Sequence, residues 1–287
     1  MNKDKLRSMC QKISKETGLS FNAIQTHYFL ESILEKIANS DESENFIFKG
    51  GFLLANVIGI RQRNTVDIDV LIRRFKLTKD NIKERFEKIL YSGEDTGITY
   101  EIQKIEEIRK EDEYGGFRLS ILCRLENIRQ IIPLDIATGD PITPGEISYE
   151  YHSLFNNYFF EICAYNIETM LAEKIQTVYK RGVFNSRSKD FYDIYILYHL
   201  KKEDIDFKQL RKACQNTFKH RETLFNIENI FEVLDKLKSE QDLKTRWNSY
   251  QKRFSYAKEI SFDAAIDTIV ELVNIIKWLF QNDIFDD

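Results

Sequence analysis

Asp67 and Asp69 stand two residues apart in Val66-Asp67-Ile68-Asp69-Val70, a run that predicts a strand over 66–72. Side chains alternate along a strand, so both carboxylates would leave by one face. Two carboxylates so placed suit magnesium, which takes one or two from a protein and completes its shell with water and phosphate oxygens. Upstream, Phe46-Ile47-Phe48-Lys49 reads as a strand that ends on Gly50-Gly51. A short apolar helix follows, with Phe52, Leu53, Leu54, Val57 and Ile58, closed by Gly59. Bare backbone at Gly50 and Gly51 lets N–H groups approach a polyphosphate, and the positive end of the helix adds to the attraction. Either pair alone is commonly a turn or a solvated strand end; in strand, turn, helix, strand order they make a phosphate cradle facing a metal clamp.

At these residues the sequence resembles the nucleotidyltransferase superfamily, whose signature is a Gly-Gly or Gly-Ser turn followed by an Asp-x-Asp or Asp-x-Glu strand. More narrowly it resembles the AbiEii/AbiGii toxin family, through Phe48-Lys49-Gly50-Gly51 and through Arg63, Thr65, Asp67, Ile68 and Asp69. Phe52 departs from the pattern, standing where many relatives carry a small polar residue. The resemblance implies transfer of a nucleoside monophosphate from an NTP to an acceptor hydroxyl, with two magnesium ions about 3.5–4 Å apart clamping the attacking and leaving oxygens. Asp67 and Asp69 would hold the metals, while Gly50, Gly51 and Thr65 would cradle phosphates and Arg63 would support the strand or the phosphates. The superfamily uses a third carboxylate on a neighbouring strand, and Asp135 is the candidate by position, as metal ligand or acceptor of the hydroxyl proton. Family members are toxins of toxin–antitoxin pairs, and some modify the 3′ end of tRNA, so an RNA acceptor and a cognate antitoxin are the expected partners.

The elements that must position these groups follow from hydrophobic periodicity. Helices are expected over 3–17 and about 20–39, with Ser20 as N-cap, and His27 lies on the buried stripe of the second as a satisfied core histidine. An amphipathic helix over 78–91 leads to strands near 98–109, 116–126 and 128–137, the first pair joined by a turn at 110–116. Asp135 interrupts the apolar run of the third, where a carboxylate must be paired or metal-bound unless it sits at an exposed strand end. Short strands at 146–152 and 158–164 complete this half.

From Asn166 onward the pattern is helical, near 166–181, 187–201, 206–220, 227–239, 242–258 and 262–281, with no proline after Pro144. Lys174 falls on the buried stripe of Ile167, Met170, Leu171, Ile175 and Val178, so it either snorkels outward or meets an anion. The resemblance extends through Leu171-Ala172-Glu173-Lys174-Ile175 and Arg187-Ser188-Lys189-Asp190-Phe191-Tyr192-Asp193. It implies that Lys174 contacts the triphosphate and that Asp190 partners Lys174 or the metal shell, Asp193 being a structural hydrogen-bonding residue. Tyr179 to Lys189 forms a basic connection with an aromatic inside it, suited to a polyanion or to an ordinary turn between helices. Trp247, Trp278 and Phe280 are expected in the bundle core, and the tail 283–287 is expected to fray.

Composition bounds the rest. The chain of 287 residues, 31% charged and 43% hydrophobic, has the make-up of an ordinary globular protein with ample core. Four scattered cysteines with no His at ligand spacing argue for a reducing compartment and against structural zinc. No leader or bilayer-spanning run is visible, so a cytoplasmic location is expected. Net charge is −4, but Lys174 to Arg221 holds 12 basic against 5 acidic residues, and Glu94 to Glu113 holds 3 against 8. The first imbalance suits a polyanion on one side; the second reads as solvated surface.

The expected architecture is α/β (α+β): a nucleotidyltransferase-type mixed sheet flanked by helices over 1–165, then a helical bundle over 166–287 whose first helices complete the active site. Two other functions use the same features: a catalytically silent module of this fold that binds RNA or protein, and a metal-dependent phosphohydrolase or nuclease.

Overall fold

The computed structural model describes residues 1–63, 65, 67–92, 96–108 and 115–282. Asn64 and Val66, most of the turn expected at 110–116, the acidic residues Glu94, Asp95 and 111–113, and the tail 283–287 lie outside the described residues. The chain forms two compact units, Met1–Asp140 with Glu146–Tyr165, and Pro141–Gly145 with the chain from Asn166 onward.

In the first unit, α1 (Lys3–Thr17), α2 (Phe21–Ala38) and α4 (Lys79–Tyr91) each start at a side-chain cap. Asn2, Ser20 and Thr78 accept hydrogen bonds from the N–H groups of Lys5, Ala23 and Asn81. β1 (Phe46–Lys49), α3 (Gly50–Ile58) and β2 (Ile68–Ile72) form the expected strand, turn, helix, strand unit. β3 (Ile98–Ile108), β4 (Gly116–Leu125), β5 (Ile128–Ala137), β6 (Ile147–His152) and β7 (Phe159–Ala164) complete one sheet in the order β3-β4-β5-β2-β1-β7-β6. β2 runs parallel to β5 and β1 parallel to β7; the other pairs are antiparallel. Period-two burial gives the sheet an apolar face on which Ile68, Val70, Leu119, Ile121, Leu134 and Ile136 are fully buried. The opposite parity is left for polar groups, and it carries the site.

The second unit is helical: α5 (Ile167–Arg181), α6 (Ser188–Lys201), α7 (Phe207–His220), α8 (Ile227–Ser239), α9 (Gln241–Arg253) and α10 (Phe262–Asn282). Buried Asn166 caps α5 by accepting from the Thr169 N–H, and its amide nitrogen donates to the carbonyls of Thr143 and Gly145. That double role ties Pro141–Gly145 into this unit. No helix among the described residues is long and apolar enough to cross a membrane.

Several expectations need correction. Trp247 is core, but Trp278 is 60% exposed and Phe280 is 39% exposed. Trp278 lies on the stripe of Asp267, Glu271 and Asn274, whereas the buried stripe of α10 runs through Ile269, Leu272, Val273, Ile276 and Leu279. Trp278 is therefore carried to the polar face by helical periodicity. The helix expected over 242–258 stops at Arg253, because Gln251 turns its amide onto the carbonyls of Ala257, Lys258 and Ile260 and draws the chain back. β2 begins at Ile68, so strand alternation does not place Asp67. His27 is buried with Nε2 3.4 Å from the Tyr151 hydroxyl, yet its Nδ1 has no partner among the described residues. It is half satisfied.

Candidate functional site

One rung crosses the centre of the sheet. Lys49 on β1 is in register with Asp69 on β2, Asp69 with Asp135 on β5, and Asp135 with Arg118 on β4. Cross-strand partners share a face, so two carboxylates lie side by side, flanked by a cation at each end. The apolar neighbours of each strand, buried on the other side, force this parity.

Arg118 engages both oxygens of Asp135, Nε at 2.6 Å from Oδ1 and Nη2 at 2.7 Å from Oδ2. Hydrogen bonding to Asp135, then the charges of Asp135, Asp67 and Asp69, hold Arg118 above the usual arginine value against its partial burial. At the other end Lys49 is 5% exposed, with Nζ 2.5 Å from Asp140 Oδ2 and 3.2 Å from the Tyr165 hydroxyl. This largely buried lysine and its partners fix the end of β1 immediately before the glycines. The sequence reading missed Arg118, Asp140 and Tyr165 as site-forming residues and gave Lys49 no role. The only signal for Arg118 was a cation at the outward parity of an apolar strand, and its partner required the β4–β5 register.

The glycine turn is built around Asp69. Gly50 has φ +72°, a left-handed conformation, and an added Cβ would stand 2.6 Å from Asp69 Cγ. Both facts demand glycine. Gly51 is less constrained: its Cβ would lie 3.1 Å from Thr65 Oγ1 and 3.4 Å from Nη2 of the buried Arg63. No side chain caps the start of α3, which leaves its first N–H groups oriented as an anion site. Thr65 Oγ1 donates to Asp67 Oδ1 at 2.5 Å and so fixes the carboxylate that lies ahead of the strand. Phe52 is buried against Tyr151, ring centroids 5.7 Å apart, and packs the helix rather than facing a ligand.

Asp67 and Asp69 offer hard oxygen donors next to an anion cradle, a donor set that fits magnesium. Asp135 is beside Asp69 by register, but its carboxylate is held by Arg118. Among the described residues no three carboxylate, thiol or imidazole side chains already form a metal cluster. Asp67 and Asp69 are the pair that fits.

In the second unit Lys174 meets anions instead of snorkelling. Its Nζ lies 2.6 Å from Asp193 Oδ2 and 3.6 Å from Asp190 Oδ1. Asp193 is thus the direct partner, reversing the order read from the sequence. The reason is Arg187, which takes Asp190 with Nε at 2.6 Å and Nη2 at 3.2 Å. Both aspartates are 1% exposed as side chains, so the two cations balance two buried carboxylates.

The family model "Nucleotidyl transferase AbiEii toxin, Type IV TA system" matches residues 32–268. Among solved structures, an inferred nucleotidyltransferase from H. pylori is similar at 15% identity and TM-score 0.53, with 92% of this chain and 96% of that chain covered. JHP933 from Helicobacter pylori is similar at 14% identity and TM-score 0.48, covering 92% of this chain and 94% of that one. No curated protein matches the sequence. Over most of its length, then, the chain belongs to the AbiEii family of nucleotidyltransferase toxins of type IV toxin–antitoxin systems.

Proposed function

We propose that the protein moves a nucleoside monophosphate from an NTP to a hydroxyl of an RNA acceptor, tRNA being the expected class, in a magnesium-dependent reaction that releases pyrophosphate. The observation that carries this reading is the fusion of cradle and clamp at Gly50 and Asp69: a turn that only glycine can make lies against a carboxylate suited to magnesium.

Each residue then has a task. Gly50 and Gly51 present backbone N–H groups to the phosphates, and Arg63 and Thr65 back the turn from beside Gly51. Asp67 and Asp69 hold magnesium, with Thr65 orienting Asp67. Bound magnesium supplies charge neutralisation for the attacking and leaving oxygens. Asp135, positioned by Arg118, serves as a further ligand or takes the proton of the acceptor hydroxyl. Lys174, oriented by Asp193 and Asp190, neutralises the triphosphate. Chemistry of this kind rests on positioning and electrostatics, which suits carboxylates and cations held on rigid strands.

Incubation with each α-labelled NTP, magnesium and total RNA tests the reading. Labelled RNA is the expected result; degraded RNA would point to a phosphohydrolase or nuclease, and unchanged RNA to a module that binds without catalysis.

A further inference from the structure

Phe184 is 86% exposed, more than any other large hydrophobic side chain among the described residues. Single exposed apolar side chains are ordinary. Three observations set this one apart.

First, the ring stands on a tied-down support. Gly182–Phe184 is a 3₁₀ turn in which the Asn185 N–H donates to the Gly182 carbonyl at 3.0 Å. Buried Asn185 anchors it from both sides, its carbonyl accepting from Arg246 at 3.0 Å and its Oδ1 from the Arg187 N–H at 2.8 Å. The left-handed Gly182, φ +50°, turns the chain out of α5 while its N–H closes that helix on the Val178 carbonyl. Second, exposed cations surround the ring in sequence: Lys180, Arg181 and Lys189, none with an acidic partner among the described residues. Third, this turn joins α5, which carries Lys174, to α6, which carries Asp190 and Asp193, and Arg187 between them is already committed to Asp190.

An aromatic ring on an anchored turn, flanked in sequence by exposed cations, matches how proteins hold single-stranded nucleic acid: the base stacks and the cations take the phosphates. We propose that Phe184 stacks an unpaired base of the acceptor RNA, with Lys180, Arg181 and Lys189 contacting the adjoining phosphates. This rests on the reading of the protein as an RNA-directed nucleotidyltransferase. It adds the element that seizes the acceptor.

The test is fluorescence anisotropy of short labelled single-stranded RNAs and of an RNA duplex, with wild type, Phe184→Ala, Phe184→Trp and Lys180→Ala/Arg181→Ala. Phe184→Ala should weaken single-strand binding about tenfold or more. Phe184→Trp should restore it, and the charge variant should flatten the dependence of log affinity on log salt by about one to two. NTP affinity, read with a fluorescent NTP analogue, should not move. Wild-type RNA binding with an unchanged Phe184→Ala variant would overturn the stacking role while leaving nucleotidyl transfer standing. Loss of NTP binding, equal loss on duplex RNA, or loss of antitoxin capture with RNA binding intact would also overturn it. Absence of RNA binding by wild type would remove the platform, whereas label transfer to a non-RNA acceptor would contradict the functional reading itself.

Discussion

Arg118 clamps Asp135 through two parallel hydrogen bonds of 2.6 and 2.7 Å, and this pair closes the rung that holds Asp69. Arg118 is 44% exposed as a side chain and Asp135 only 11%, so the carboxylate depends on the arginine more than the reverse. Arg118→Lys keeps the charge but loses the fork. We expect it to lower nucleotidyl transfer at least tenfold while the unfolding free energy from denaturant titration falls by no more than about 1 kcal/mol, the range for a partly exposed pair. Arg118→Met should cost about 1–2 kcal/mol by leaving Asp135 unpaired. Wild-type turnover in Arg118→Lys would reduce the pair to a structural tie.

The two glycines should behave differently. Gly50→Ala meets both a left-handed backbone and the Asp69 side chain, so it should destabilise by about 1–3 kcal/mol and abolish transfer. Gly51→Ala meets Thr65 at 3.1 Å and should fold within about 0.5 kcal/mol of wild type. Chemical denaturation of the pair separates the two positions; equal costs would show that the turn is not built around Asp69.

Lys174 balances two buried carboxylates, and its removal should register in folding as well as in binding. Lys174→Met should destabilise by about 2–3 kcal/mol by stranding Asp193, and adding Asp193→Asn should recover part of the loss. In isothermal titration Lys174→Met should also bind NTP more weakly. Unchanged NTP affinity would confine Lys174 to a structural role.

Much of this was legible in sequence because it is local. Hydrophobic period and the cap at Ser20 placed the starts of α2, α4 and α5 and the strand boundaries near where they lie, and the glycine turn and Asp67-Ile68-Asp69 were recognisable by type and order. What escaped depends on tertiary register. Arg118 and Asp135 are 17 residues apart and meet only once β4 and β5 pair, and Lys49 reaches Asp140 across 91 residues. Asp193 is the nearer partner of Lys174, and Asp190 the more distant, because a third residue, Arg187, takes Asp190 with two hydrogen bonds. Trp278 was misplaced because helical spacing grouped it with Ile266, Ile269, Val273 and Ile276, whereas its position on α10 falls on the polar stripe of Asp267, Glu271 and Asn274.

Glu31 and His27 give the first unit an unusual pH response. Burial pushes Glu31 up to about 7 from 4.5, against hydrogen bonds from Ser153, Leu154 and Tyr151, and burial pushes His27 down to about 4 from 6.5. A raised carboxyl contributes stability that is complete below pH 4.5 and lost as pH climbs to about 7; a depressed imidazole contributes stability present above pH 6.5 and lost as pH falls towards 4. The slopes oppose one another and nearly cancel between pH 4.5 and 6.5. Glu31→Gln removes one of them, so its stability relative to wild type should rise by about 1.4 kcal/mol per pH unit over that window. Urea denaturation across the window reads the difference, and a constant offset would contradict the assignment.

The central claim is that Asp67 and Asp69 carry the metal-dependent step. Label transfer from NTP to RNA should vanish in Asp67→Asn and in Asp69→Asn, with circular dichroism and thermal midpoint close to wild type. Full transfer by both variants would place the chemistry elsewhere in the molecule.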